Sequence, residues 1–207
     1  MFHHVVTCRS KATFLNVISQ FKMSQNRTDR TKLKGEQVYL RVLERSDIAV
    51  TTSWMNSEEI SDIMGYLPVF SLEGQYEWFD KLKNDRTRFI FAVCTNDGRH
   101  IGNIALGNVD MLHRHAMFSI FLVADTDRAK GIGSEATRLL LGFAFDKLNL
   151  NKVHLRTSER FSEAVRMYEK LGFVREGVMR QHVFANGVYE DKVIYSMLRS
   201  EYAKWKG

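Results

Sequence analysis

The chain has 207 residues, 44% hydrophobic, 12% aromatic and 26% charged, which is enough for one full core and short for two. Thirteen glycines and one proline exclude collagen-like or proline-rich disorder, and two cysteines, Cys8 and Cys94, are too few for a disulfide framework or a thiolate-rich zinc site. The net charge of +6 lies wholly in residues 1–34, which hold seven of the 30 basic residues and one of the 24 acidic ones.

Residues 35–207 are therefore formally neutral and offer no extended phosphate-binding face, though a local basic pocket stays open. No run reaches the roughly 20 apolar residues of a membrane-spanning helix. The expectation is a cytoplasmic protein with neither a nucleic-acid nor a membrane partner. Within 1–34, Phe14, Leu15, Val17, Ile18 and Phe21 have the spacing of a short apolar helical stripe. The stretch has the basic, acid-poor character of a transit peptide. It reads equally as a flexible extension, or as an upstream start with Met23 as the natural beginning. The chain divides here into a basic N-terminal extension, 1–34, and one domain, 35–207.

From Gln37 onward strands and helices alternate. Val38 to Leu43 is a strand, and Ser46 or Asp47 caps a helix running to Met55-Asn56. Gly65, Tyr66 and Pro68 interrupt the next segment, and Ser71 opens a helix carrying Leu72, Tyr76, Phe79 and Leu82. Phe89 to Cys94 and Ile101 to Val109 form a strand pair around the Asn96-Asp97-Gly98 turn. Met117 to Val123 is a third apolar run, read as buried on both faces. A long helix follows Gly131-Ile132-Gly133, with Ala136, Leu139, Leu140, Phe143, Ala144 and Leu148 as its inward stripe. Val153 to Arg156 is a short strand, and Ser162 to Leu171 a helix stopped by Gly172. A hairpin through Asn186-Gly187 completes a mixed α/β sheet.

Two segments carry chemistry. In the first, Val123 to Ala136, a strand runs through a turn straight into a long amphipathic helix. Glycines expose backbone N–H groups there, and the helix start adds unpaired donors and partial positive charge, which suits a diphosphate. Arg128 and Lys130 add side-chain charge. Taken alone, such a turn is as well explained as a simple connection. It is neither a dinucleotide G-x-G-x-x-G fingerprint nor a Walker loop. The second segment is Ala164-Val165-Arg166-Met167-Tyr168-Glu169-Lys170-Leu171-Gly172-Phe173, roughly 35 residues downstream.

Together these resemble the GCN5-related N-acetyltransferase superfamily. Arg128-x-x-Gly131-x-Gly133 is similar to its acetyl-CoA pyrophosphate motif, and Ala164 to Phe173 to its A-x-x-x-Y-E-K-x-G-F segment. The likeness runs from about Val38 to Leu198 and is nearest the branch of ribosomal-protein-alanine, polyamine and amino-sugar acetyltransferases. It implies a single-domain, mixed and mostly antiparallel α/β sheet with splayed central strands flanked by helices. It implies acetyl-CoA as co-substrate, with no metal. The coenzyme would be held by Phe121, Leu122 and Val123 along the pantetheine arm, and by Arg128, Ala129, Lys130, Gly131, Ile132, Gly133 and Ser134 at the phosphates. Tyr168 would be the general acid toward the departing thiolate, a role worth roughly 10²–10⁴-fold. The acceptor would be a small-molecule or peptide amine, and a homodimer fits the superfamily.

Two positions depart from the pattern. Phe161 stands where relatives often carry a coenzyme-binding Asn, leaving Ser158 or Ser162 as replacements. Met117 stands where they often carry Glu as base, leaving Ser119, His113 or His115. Deprotonating an ammonium of pKa about 10.4 at pH 7 costs about 4.6 kcal/mol, against about 1.0–1.4 kcal/mol for an α-amine near 7.7–8.0. A site without a strong base favours the second, hence a protein N-terminus or amino sugar, with a polyamine as the other acceptor. Glu58, Glu59 and Asp62 are the acids that would attract a polycation. The competing function is a noncatalytic acyl-CoA-binding module on the same fold.

Overall fold

A computed structural model describes residues 32–206 other than 66, 68, 124–130 and 186. Its strands are β1 (Lys32–Lys34), β2 (Val38–Val42), β3 (Phe89–Thr95), β4 (His100–Asp110), β5 (His115–Leu122), β6 (Lys152–Thr157), β7 (Val174–Ala185) and β8 (Val188–Leu198). They form one sheet in the order 1-2-3-4-5-6-8-7, antiparallel at every junction except β5–β6. Helices α1 (Ile48–Met55), α2 (Glu58–Met64) and α3 (Leu72–Leu82) fill the β2–β3 connection. α4 (Ile132–Gly142) runs on into a π-helical turn, Phe143–Lys147, before β6. α5 (Ser162–Lys170) links β6 to β7, and α6 (Arg199–Lys206) closes the described chain. The mixed, mostly antiparallel α/β architecture implied by the sequence is the observed one.

Lys32–Lys34, the end of the basic stretch, already belongs to the sheet, with Leu33 opposite Leu40. Residues 1–31 lie outside the described residues. Glu135, in the first turn of α4, accepts backbone N–H groups of Glu36 and Gln37 and so pins the β1–β2 turn to that helix. Ser57 and Ser71 cap α2 and α3 by accepting from Ile60 N and Gly74 N. Asp47 behaves differently from a cap. Its carboxylate accepts from Glu44 N at 2.8 Å and takes both ends of the Arg41 guanidinium at 2.6 and 2.8 Å. α5 ends as expected: Gly172 adopts φ +88°, and Phe173 N reaches back to Tyr168 O at 3.0 Å.

The main core lies on one side of the sheet. Ala116 and Phe118 of β5, Val153 and Leu155 of β6, and Val193, Tyr195 and Met197 of β8 pack there against Ala136, Leu140 and Leu141 of α4. Each fully buried large side chain contributes roughly 1.5–3 kcal/mol. On the other face Leu43, Ile48, Ala92 and Cys94 form a smaller cluster beneath Tyr76 and Phe79 of α3. The expectation that Met117 to Val123 is buried on both faces is corrected. Phe118 and Phe121 are buried, whereas Met117, Ser119, Ile120 and Leu122 are only half-buried, because the inner edge of β5 borders a cleft that residues of both its faces line.

Candidate active site

β5 and β6 are neighbours for three pairs only, His115–Lys152, Ala116–Val153 and Met117–His154. Beyond that vertex Phe118–Leu122 stays on its β4 ladder, and Leu155-Arg156-Thr157 stays on β8. Each central strand is held by its outer partner, so the ladder between the two stops and their inner edges diverge. A cleft of about 860 Å³ opens between them.

At the wide end β5 leads through 124–130 into α4. Gly131 begins the helix at φ +80°, a backbone conformation L side chains rarely adopt, and a Cβ there would meet nothing within 4 Å. The first helical bond runs from Glu135 N to Gly131 O at 3.0 Å, so the amides of Ile132, Gly133 and Ser134 have no partner inside the helix. Among the described residues these three amides make no other bond, and unpaired donors at the positive end of a helix dipole suit an anion. The carboxylate on that turn, Glu135, is turned toward Glu36 and Gln37. Gly133 also serves the packing, because a Cβ on it would lie 3.3 Å from Met167 Sδ; its bareness lets α4 meet α5 closely. Among the expected coenzyme residues, Phe121, Leu122, Gly131, Gly133 and Ser134 line the cleft. Ile132 is buried beneath the turn, and Val123 N is bonded to Ile101 O at 2.9 Å. Arg128, Ala129 and Lys130 lie outside the described residues.

Tyr168 enters from the core side. It is 7% exposed, edge-on to Phe118 and Phe173 at ring-centroid distances of 5.9 and 5.7 Å, and lines the cleft. Its hydroxyl has no hydrogen-bond partner among the described residues, and burial pushes its pKa above the usual phenol value. Ser162 lines the cleft as well, whereas Ser158 is buried and donates to Glu190 Oε2 at 3.0 Å. The Arg160 guanidinium lies over the Phe161 ring, its Cζ 4.4 Å from the ring centroid.

The opposite side of the cleft has another character. Met117 and Ser119 of β5, Arg156 of β6, His182 of β7 and Lys192 of β8 line it, with the end of α2 at Gly65. Arg156 Nη2 lies 3.3 Å from Met117 Sδ, so the position of the missing carboxylate is flanked by a guanidinium. Arg160 grips Asp62 of α2 with two bonds of 3.0 and 2.8 Å and Glu190 of β8 at 2.9 Å. Asp62 is therefore committed to an arginine. His113 and His115 do not line the cleft. They sit at the β4–β5 turn, where His113 Nδ1 is 2.8 Å from Asp110 Oδ2. Asp110, His113 and His115 offer ligand atoms within 4.8 Å of one another. None of the three borders the cleft. Sequence reasoning missed Arg156, Arg160 and Lys192; for Arg156 and Lys192 the signal is strand alternation, which sets 156 opposite to buried Leu155 and 192 opposite to buried Val193, whereas Arg160 lies between β6 and α5.

Residues 37–174 match the family described as the acetyltransferase (GNAT) domain. A spermidine N(1)-acetyltransferase of Vibrio cholerae is 31% identical over 168 residues, covering 81% of this chain and 96% of that protein. A putative ribosomal N-acetyltransferase of Bacillus subtilis is 33% identical over 118 residues, covering 57% of this chain and 62% of the relative. Among solved structures, the Vibrio cholerae spermidine N-acetyltransferase in complex with CoA and spermine superposes with a TM-score of 0.78 at 30% identity, over 82% of this chain and 99% of that one. The splayed strands, the amide-bearing turn and these matches define one class. The chain belongs to the GNAT acetyltransferase family and is an N-acetyltransferase.

Proposed function

We propose that the protein moves an acetyl group from acetyl-CoA to a primary amine by direct attack, with Tyr168 as general acid. The reading is carried by one arrangement: a cleft that holds, among the described residues, three unpaired amides at its wide end and a buried phenol without a hydrogen-bond partner on its wall. Acetyl-CoA, when bound, supplies an activated thioester at one end and a diphosphate at the other. The amides of Ile132, Gly133 and Ser134 suit the diphosphate, Arg128, Ala129 and Lys130 are the further residues expected to meet it, and the inner edge of β5 at Phe121 and Leu122 aligns the arm between. Tyr168 Oη holds the proton that the departing sulfur takes. Cys94 is buried in β3 and does not line the cleft, which agrees with a path lacking a covalent acyl-enzyme.

The acceptor that fits best is an amine of low pKa, a protein N-terminus or an amino sugar. Among the described residues, Glu163, exposed on the first turn of α5, is the one carboxylate on the lining, and Met117 and Arg156 stand where a base would be. A polyamine is the second reading, favoured by the likeness to spermidine acetyltransferases. Thiol release from acetyl-CoA with an alanine-starting peptide and with spermidine separates them. Faster release with the peptide is expected, and faster release with spermidine overturns the preference. Coenzyme binding with no release on any amine would leave a noncatalytic module.

A further inference from the structure

The cleft wall facing away from Tyr168 carries more positive charge than its neighbours neutralise. β6 alternates buried Val153, Leu155 and Thr157 with His154 and Arg156 on the other face. β8 likewise buries Val193 and Tyr195 in the core and leaves Lys192 on the face that Arg156 shares. The Arg156 head group contacts Met117 Sδ at 3.3 Å and His182 Nε2 at 3.5 Å, neither of them an anion. Lys192 is only 8% exposed, and its ammonium makes no hydrogen bond and no ion pair among the described residues. A Cβ added to Gly65, at the carbonyl end of α2, would lie 3.9 Å from Lys192 Nζ. That end offers partial negative charge but no counterion.

Among the described residues the two carboxylates in reach, Asp62 and Glu190, are taken. Arg160 binds Asp62 in two places and Glu190 in a third, and Ser158 adds a bond to Glu190. A buried ammonium without an acceptor is costly. Burial pushes the Lys192 pKa down, as do Arg160 and Arg156 beside it, against Glu190 and Asp62. Position separates these cations from the coenzyme's phosphates. Arg156 touches Met117, at the vertex where β5 still pairs with β6, whereas the amide turn follows Leu122, roughly 16 Å farther along the strand at about 3.3 Å per residue.

We propose that Arg156 and Lys192 form an acceptor subsite for a carboxylate or phosphate, so that the amine substrate is itself an anion-bearing molecule. This rests on the acetyl-transfer reading above. An anion between the two heads would satisfy Lys192 and take the Arg156 fork, and His182 at the exposed rim would add a ring N–H donor. The same charges repel a polycation.

Matched acceptor pairs test it: glucosamine against glucosamine 6-phosphate, and Ala-Ala amide against Ala-Ala with its free carboxylate, with spermidine as the cationic arm. Phosphate and carboxylate arms identify which anion is taken. The expected result is at least a 10-fold higher kcat/KM for the anionic member of one pair, expressed in KM, and lower values for spermidine than for either anionic amine. Lys192→Met and Arg156→Gln should each shrink the anionic preference to under about 3-fold by raising KM for the anionic member, with acetyl-CoA KM as a check on the rest of the site. Equal use of both members of both pairs, or spermidine as the best acceptor, overturns the subsite while acetyl transfer stands. An undiminished preference in both folded variants also overturns it. Absence of thiol release with every amine tested would instead refute the acetyl-transfer reading. The acceptor comparison on the unaltered protein decides the matter even where Lys192→Met fails to fold.

Discussion

A phenol is a weak acid, and burial makes Tyr168 weaker still. The same dry surroundings raise the basicity of a departing thiolate, whose free counterpart titrates near 8.5, so the proton still has somewhere to go. Burial also keeps Tyr168 protonated throughout the physiological range. Tyr168→Phe should therefore lower kcat by one to three decades while changing acetyl-CoA affinity little, since the ring and its contacts with Phe118 and Phe173 remain. Steady-state kinetics on both substrates checks this; unchanged kcat would move the acid role elsewhere. The pH profile follows from the signs. The acceptor must lose a proton and Tyr168 must keep one, so kcat/KM with an α-amine should rise to about pH 8 and hold level to about pH 10. A falling limb between 8 and 9 would exclude a buried phenol as the acid. Tyr168 was legible in the sequence because its motif is local. Lys192 was not, because its significance lies in what fails to reach it, and that depends on Arg160 claiming acids from α2 and β8.

Among the elements, the β5–turn–α4 unit is the proposed coenzyme end. Gly131 needs its left-handed backbone, and the space beside it is open. Gly131→Val should therefore raise acetyl-CoA KM several-fold through a distorted turn, with thermal stability lowered by about 1–2 kcal/mol. Intact coenzyme affinity would argue against the amides as the phosphate site. Gly102 of β4 makes the opposite case. Its φ is +156°, and a Cβ would lie 2.2 Å from Phe121 O and 2.8 Å from Leu122 Cα. Gly102→Ala should cost more than about 1 kcal/mol in denaturant unfolding and push β5 out of place just before the turn; unaltered stability would contradict this close approach. The helix stripes, the Ser71 cap and the Gly172 stop were readable from periodicity and capping chemistry. The cleft along the inner edge of β5 was not. An unbroken apolar run looks the same whether its edge meets another strand or a substrate cleft.

For the whole molecule, charge separates cleanly from fold. Residues 35–207 are formally neutral, and the basic excess sits before them. Removing residues 1–31 should leave acetyl transfer within about twofold while abolishing salt-sensitive binding to polyanions such as heparin; lost transfer would tie the tail to the site. The splay itself, implied in sequence only through the family resemblance, arises because β4 and β8 each hold one central strand beyond the third pair. The proposed chemistry depends on that gap. A crystal structure with bound CoA probes it most directly. Diphosphate oxygens should lie about 3 Å from the amide nitrogens of Ile132, Gly133 or Ser134, with the sulfur within about 4 Å of Tyr168 Oη. CoA bound outside the β5–β6 cleft, or a sulfur beyond reach of that phenol, would contradict the account.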